Sequence, residues 1–285
     1  MLLQGAIGDA YGAGFEFAER AIIDKENNLT HYRVHPRYKS IYKKYTDDTQ
    51  MALALAELLI EQKDLTRENI ADKFVEVFKR DVREGYASRF YQFLLSINSG
   101  AELLEKIIAK SERNGAAMRA YPLGILKTAS EIIEANSIQM AITHNTEVAK
   151  IASEAIALTS HFFIYNKGTQ QHLKEYLSDI QHQNWSLDWQ GEVTMNAIET
   201  VEAVLTILTC PEISGKNETS LKNMLLKSVN FGGDVDTVAS LTLAIGSQIE
   251  NIENDLPKFL FNELENAAFG RDYLIGIDKQ FLSLK

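Results

Sequence analysis

The sequence predicts an all-α protein folded as a single compact multi-helix domain. Three observations carry this expectation. Apolar residues recur at three- and four-residue steps along most of the chain, convincing two-residue alternation is absent, and proline interrupts only at positions 36, 122, 211 and 257. The polar segments that suggest chemistry lie near both ends and in the middle. Gathering them into one site requires the ends to converge, which argues for one domain over residues 1–285. With 45% hydrophobic residues, a chain of this length can bury a sizeable core.

The first helix carries Gly5, Gly8 and Gly12 at helical steps, with Ala6, Ala10 and Ala13 beside them. Small residues in this register permit close helix packing. They do not form a dinucleotide-binding fingerprint, since no strand precedes them and the glycine order is wrong. Packing leaves Asp9, inside this helix, and Glu16, between Phe15 and Phe17, without an explanation. A carboxylate flanked by aromatics suits acid/base work or metal contact. A loop is expected over 24–45, where Lys39, Lys43 and Lys44 read as a solvated basic cluster.

Next comes Tyr45-Thr46-Asp47-Asp48-Thr49-Gln50, ahead of the apolar run MALALAELLI. A helix N-cap needs one side-chain oxygen; this segment supplies more than capping uses. Helical spacing continues through Ile70, Phe74, Val77 and Phe78, then Leu103, Leu104, Ile107 and Ile108. It resumes over 125–133, 148–163, 193–208 and 221–229, with loops expected near 164–168, 181–191 and 211–219. The last motif is Gly232-Gly233-Asp234-Val235-Asp236-Thr237, followed by a stretch without charge from Val238 to Gln248. Such a helix is buried on nearly all sides. Two carboxylates at its mouth either take up protons or are neutralised by a cation. An all-oxygen donor set selects Mg²⁺ or Mn²⁺ ahead of Zn²⁺, and facing carboxylates suit two ions roughly 3.5–4 Å apart.

Composition excludes several classes. A net charge of −10 and the lack of a basic face speak against direct nucleic-acid binding through phosphates. Cys210 is the single cysteine, so an intrachain disulfide is impossible and a reducing compartment fits. Without a basic leader or an apolar run of about 18 residues, the expectation is a cytoplasmic protein with no membrane association. A nucleophilic cysteine mechanism gains no support, because Cys210 precedes a proline far in sequence from the acidic motifs.

Taken together, these motifs resemble the ADP-ribosylglycohydrolase family, which includes the dinitrogenase-reductase-activating glycohydrolases. Gly5 to Gly12 with Glu16 is similar to its first helix, Thr46 to Thr49 to its T-D-D-T, and Gly232 to Thr237 to its G-G-D-x-D-T. Between them, Ser111 to Arg119 with Pro122 and Gly124 matches S-x-x-N-G-A-A-M-R-x-x-P-x-G, and Thr143-His144 starts its T-H segment. The likeness runs in order over almost the whole chain.

The resemblance implies an all-α domain with a binuclear Mg²⁺ centre, Mn²⁺ in some members. Thr46, Asp47 and Asp48 would ligate on one side and Asp234, Asp236 and Thr237 on the other, with Glu16 as a ligand or gate. It implies hydrolysis of the bond between ADP-ribose and an acceptor, a protein side chain or related conjugate. Ser111, Asn114, Gly115, Met118 and His144 would line the ADP-ribose groove. Glu16, Asp47 and Asp234 are the candidate proton acceptors. Arg119 reads either as an ion-pair partner or as a diphosphate contact, and Gly85-Tyr86 either as base stacking or as core. From the residues alone, His144 reads as an ordinary histidine at a helix N-terminus and Met118 as core.

The sequence departs from the family pattern at Asn145-Thr146-Glu147, where an Asp often follows the T-H, at bulky Tyr11, and in the long loop 24–45. Two rival functions stay open: hydrolysis of free ADP-ribose derivatives or modified nucleotides, and a catalytically inactive binding or structural role.

Overall fold

The computed structural model describes residues 1–35, 37–210 and 220–285; the expected loop at 211–219 lies outside them. The three- and four-residue spacing becomes fourteen α-helices among the described residues. They are α1 (Leu2–Gly12), α2 (Arg20–Glu26), α3 (Asp47–Ile60), α4 (Arg67–Arg80), α5 (Ser88–Ser96), α6 (Gly100–Lys106) and α7 (Ala129–Thr143). Then follow α8 (Glu147–Ile164), α9 (Leu173–Gln181), α10 (Ala197–Leu208), α11 (Leu221–Asn230), α12 (Val235–Gly246), α13 (Lys258–Asn262) and α14 (Arg271–Leu282). Extended backbone among these residues amounts to isolated bridges. The all-α expectation holds, and one contiguous core of buried side chains runs from Met1 to Phe281.

The uncharged stretch after Thr237 becomes α12, every residue of which is buried. Its most extensive neighbour is α1, with α8, α10 and α11 around it. The glycine face of α1 is the reason. A Cβ at Gly8 would lie 2.2 Å from the Ala239 carbonyl oxygen, and one at Gly12 would lie 2.5 Å from Asp236 Cα. Only glycine lets the two backbones touch, and this contact brings both ends of the chain together.

Some local expectations change. Part of the loop at 24–45 is helical: α2 runs to Glu26 and a 3₁₀ turn covers Lys39–Ile41. Lys39 and Lys44 are exposed, whereas Lys43 pairs with Glu263 at 2.8 Å. The helix at 103–108 ends at Lys106, and Ile108 is 79% exposed. Apolar spacing overran here because the chain leaves the helix after Lys106 and the core after Ile107. His144 ends α7 rather than beginning a helix, and Thr146 caps the next one. Tyr86 is buried among Phe78 and Phe90 with its hydroxyl donating to Gln50, so the core reading replaces base stacking.

Candidate metal centre

Thr46 stands at the N-cap position of α3, and its side chain makes no capping bond. The capping is done from another helix. Asp9, fully buried in α1, accepts the Thr46 N–H (2.9 Å) and hydroxyl (2.8 Å) and the Thr49 N–H (3.1 Å) and hydroxyl (2.7 Å). The Asp in the small-residue helix is therefore the cap of α3, supplied through space. Thr46 and Thr49 direct their protons to it, which leaves Asp47 and Asp48 uninvolved in capping. Likewise, Asp234 occupies the N-cap position of α12 without a side-chain capping bond. At both helix mouths the carboxylates are available for something else.

A second set of contacts aims them at one another. Gly233 has φ +83°, and a Cβ there would lie 2.0 Å from the Val193 carbonyl, so only glycine serves. Its own carbonyl accepts from the Phe17 N–H at 2.8 Å, while Asp234 N–H donates to Val193 at 2.8 Å. These bonds stitch Glu16-Phe17 to the Asp234 loop. Carboxylate oxygens of Glu16, Asp234 and Asp236 consequently lie within 4.8 Å of one another. Asn114 Nδ2 donates to Asp234 at 2.7 Å and to Thr200 Oγ1 at 3.1 Å, fixing Asp234 from the far side.

The electrostatics match a site built for cations. Burial first, then the charge of Asp9, raises Asp47 well above the ordinary carboxylate range, with Glu16 and Asp234 adding to it. Asp48 rises through burial, Asp47, Asp9 and Asp234; Asp236 rises through burial, Glu16, Asp234 and Asp48. Asp234 is pushed up to about 6, chiefly by burial. Asp48 Oδ1 is sealed from solvent without a hydrogen-bond partner. Among the described residues, no lysine or arginine forms an ion pair with Asp47, Asp48, Asp234 or Asp236. Arg113 acts on Asp234 only through its charge, without an ion pair, and clustered like charges that outnumber the nearby cations fit bound divalent cations.

Sequence reasoning missed His35. Its Nδ1 accepts the backbone N–H groups of Arg37 and Tyr38, both at 2.9 Å, so Nε2 carries the proton that reaches Glu16 Oε2 at 2.8 Å. The signal was out of reach, since a histidine in an irregular loop gives no period to read. Thr200 was missed because it lies inside α10 and meets Asn114 only through tertiary packing, 86 positions away in the chain. Of the proposed groove residues, Asn114 is buried against the acids, and Gly115 lies against the His144 ring. Ser111, half-buried, accepts from Arg113 N–H, and Met118 is 6% exposed within the core. Arg119 departs from both readings. It is 1% exposed, sealed from the groove, and bonds neutral oxygens of Gly115, Gln139 and Thr143.

Comparison with known proteins bears on the chain as a whole. A family model described as ADP-ribosylglycohydrolase matches residues 1–283. The chain is 25% identical over 269 residues to the ADP-ribosyl-[dinitrogen reductase] glycohydrolase of Rhodospirillum rubrum, covering 91% of this chain and 87% of that protein. It is 24% identical over 306 residues to the human ADP-ribosylhydrolase ARH3, covering 85% and 82%. Its fold is similar to that of a solved ADP-ribosylglycohydrolase-related protein complex, with a TM-score of 0.70, 19% identity and coverage of 99% of this chain and 94% of that one.

Proposed function

The chain belongs to the ADP-ribosylglycohydrolase family, and on that premise we propose a metal-dependent hydrolase that cleaves the glycosidic bond joining ADP-ribose to an acceptor. The acceptor in this reading is a protein side chain or related conjugate. The observation that carries it is the convergence of Glu16, Asp47, Asp48, Asp234 and Asp236 in one site, where the four aspartates have no lysine or arginine ion-pair partner among the described residues.

The donor set fits two Mg²⁺ ions, with Mn²⁺ as the alternative. Thr46, Asp47 and Asp48 would hold them from α3, and Asp234, Asp236 and Thr237 from α12. Five carboxylates against four positive charges leave the site close to neutral, which favours ribose hydroxyls as further ligands. When bound, the ions would lower the pKa of a water and orient it. The remaining tasks fall to the protein. Asp9 and Asn114 hold the acidic helix mouths in place, and Glu16 is kept in register by His35. Glu16, Asp47 and Asp234 are the candidate acceptors for the water proton. The surrounding negative charge favours the oxocarbenium character that develops at the anomeric carbon. Ser111, Asn114, Gly115, Met118 and His144 would line the groove for the rest of the ligand. A cytoplasmic setting belongs to the same proposal and rests on Cys210 as a single free thiol. No helix among the described residues is long and apolar enough to cross a membrane.

The test is ADP-ribose release from a panel of ADP-ribosylated arginine, serine, nucleic acid and small-molecule conjugates, with Mg²⁺ and after chelation. Release that stops on verified ion removal supports the proposal. Tight ADP-ribose binding with no release from any acceptor would replace the hydrolase with a binding protein.

A further inference from the structure

The Asn114–Gly115 turn and the Thr143–His144 corner meet beside the acidic centre, and one buried guanidinium joins them. Arg119 Nη1 donates to the Gly115 carbonyl at 2.9 Å, and Nε donates to Gln139 Oε1 at 2.7 Å. Nη2 donates to the Gln139 carbonyl at 3.1 Å and to Thr143 Oγ1 at 2.8 Å. The guanidinium lies 4.7 Å from the centre of the Phe74 ring. All its acceptors are neutral. Burial lowers it to about 9, which leaves it charged at neutral pH.

Thr143 Oγ1 in turn lies 2.7 Å from His144 Nδ1. Arginine can only donate, so its bond occupies one of the two lone pairs of the threonine oxygen, and the hydroxyl proton, with Nδ1 as its acceptor in reach among the described residues, points at Nδ1. In the reverse assignment, Nδ1–H would donate to Thr143. The hydroxyl proton, on a residue 5% exposed, would then lack an acceptor among the described residues, an unfavourable state. The imidazole is neutral, its pKa pushed down to about 3 by burial and then by the Arg119 charge. Its proton therefore resides on Nε2. A Cβ at Gly115 would lie 2.9 Å from that atom, and none of the described residues accepts from it.

We propose that Arg119 is a positioning residue that acts through Thr143 to fix His144 as an Nε2–H donor toward an oxygen of the ligand at the Asn114–Gly115 turn. The ligand class is an anionic oxygen, for which a neutral donor backed by a buried cation is suited. Its identity as a phosphate oxygen of ADP-ribose rests on the function proposed above; the hydrogen-bond relay does not.

The experiment is long-range ¹⁵N–¹H NMR of the full-length protein labelled at histidine, with His144 assigned from its loss in His144→Gln. Wild type and Thr143→Ser should show the Nε2–H pattern, and Thr143→Val a mixture of both tautomers. By calorimetry with Mg²⁺ present, Thr143→Val should weaken ADP-ribose binding roughly tenfold, with Thr143→Ser within about twofold of wild type. A wild-type His144 protonated at Nδ1 overturns the proposal, and that spectrum decides even if Thr143→Val fails to fold. A folded Thr143→Val with unchanged tautomer and affinity overturns it as well. Wild type that shows the Nε2–H tautomer but binds no ADP-ribose would confirm the donor and remove the assigned ligand.

Discussion

Thr49 gives both its backbone N–H and its hydroxyl to one oxygen of Asp9, a residue forty positions earlier in the chain. That single carboxylate caps α3, anchors α1 to it, and sets the bearing of Asp47 and Asp48.

Replacing Asp9 with Ala should therefore cost about 2–4 kcal/mol, a buried cap lost together with unsatisfied donors on Thr46 and Thr49. Urea unfolding monitored by circular dichroism measures it. Divalent-ion affinity should fall alongside. A loss under about 0.5 kcal/mol would show that the cap is dispensable.

Gly8→Ala drives a methyl into the Ala239 carbonyl, a backbone atom that cannot swing aside. A penalty of about 2–3 kcal/mol is expected. Calorimetric melting of the purified variant reports it, and a wild-type melting temperature would contradict the tight α1–α12 contact.

Asp236→Asn separates stability from function. In chelator at pH 8 it should be roughly 1–2 kcal/mol more stable than wild type, because repulsion with Glu16, Asp234 and Asp48 is relieved. Its Mg²⁺ affinity should drop about 100-fold, with hydrolysis falling in step. Titration calorimetry and thermal melts on the same sample test both halves. A variant destabilised in chelator would contradict the electrostatic account.

Metal-free protein should lose stability as pH rises. Asp234 titrates near 6 when folded against 3.8 as its ordinary value, so the folded state binds more protons between those values. The stabilisation is complete below pH 3.8 and disappears as pH passes through 6, on the order of 2–3 kcal/mol from this group alone. Asp47, Asp48 and Asp236, raised further, extend the decline to higher pH. Melting temperatures in EDTA at pH 5 and 8 should differ in that direction, and saturating Mg²⁺ should reverse the order. Flat melting across this range would argue against burial of the acids.

The helices were legible because the apolar spacing of α3, α4 and α8 is local, and α12 because its stretch carries no charge. The acidic mouths were legible too, since Asp47-Asp48 and Asp234-Val235-Asp236 carry more oxygen than a cap requires. What joins them was not. Asn114 and Asp234 are 120 positions apart, and the Asp9 cap and the His35–Glu16 bond likewise depend on tertiary placement. Ile107 and Ile108 continue the apolar rhythm past the end of their helix, because spacing reports amphipathicity and not where the chain leaves the core. Arg119 read as an ion-pair partner or a diphosphate contact; its burial among neutral acceptors is a property of packing around Phe74 and Gln139.

The touching backbones of Gly8 and Ala239 also impose a timetable on biosynthesis. Roughly 230 residues separate them, so at about 5–20 residues per second the ribosome needs on the order of 10–45 s to deliver the second after the first. Throughout that interval the glycine groove of the nascent first helix has nothing to lie against. Completion of the acidic cage awaits synthesis of the Asp234–Thr237 segment, so any ion held from both helix mouths can be caged only after that segment has emerged.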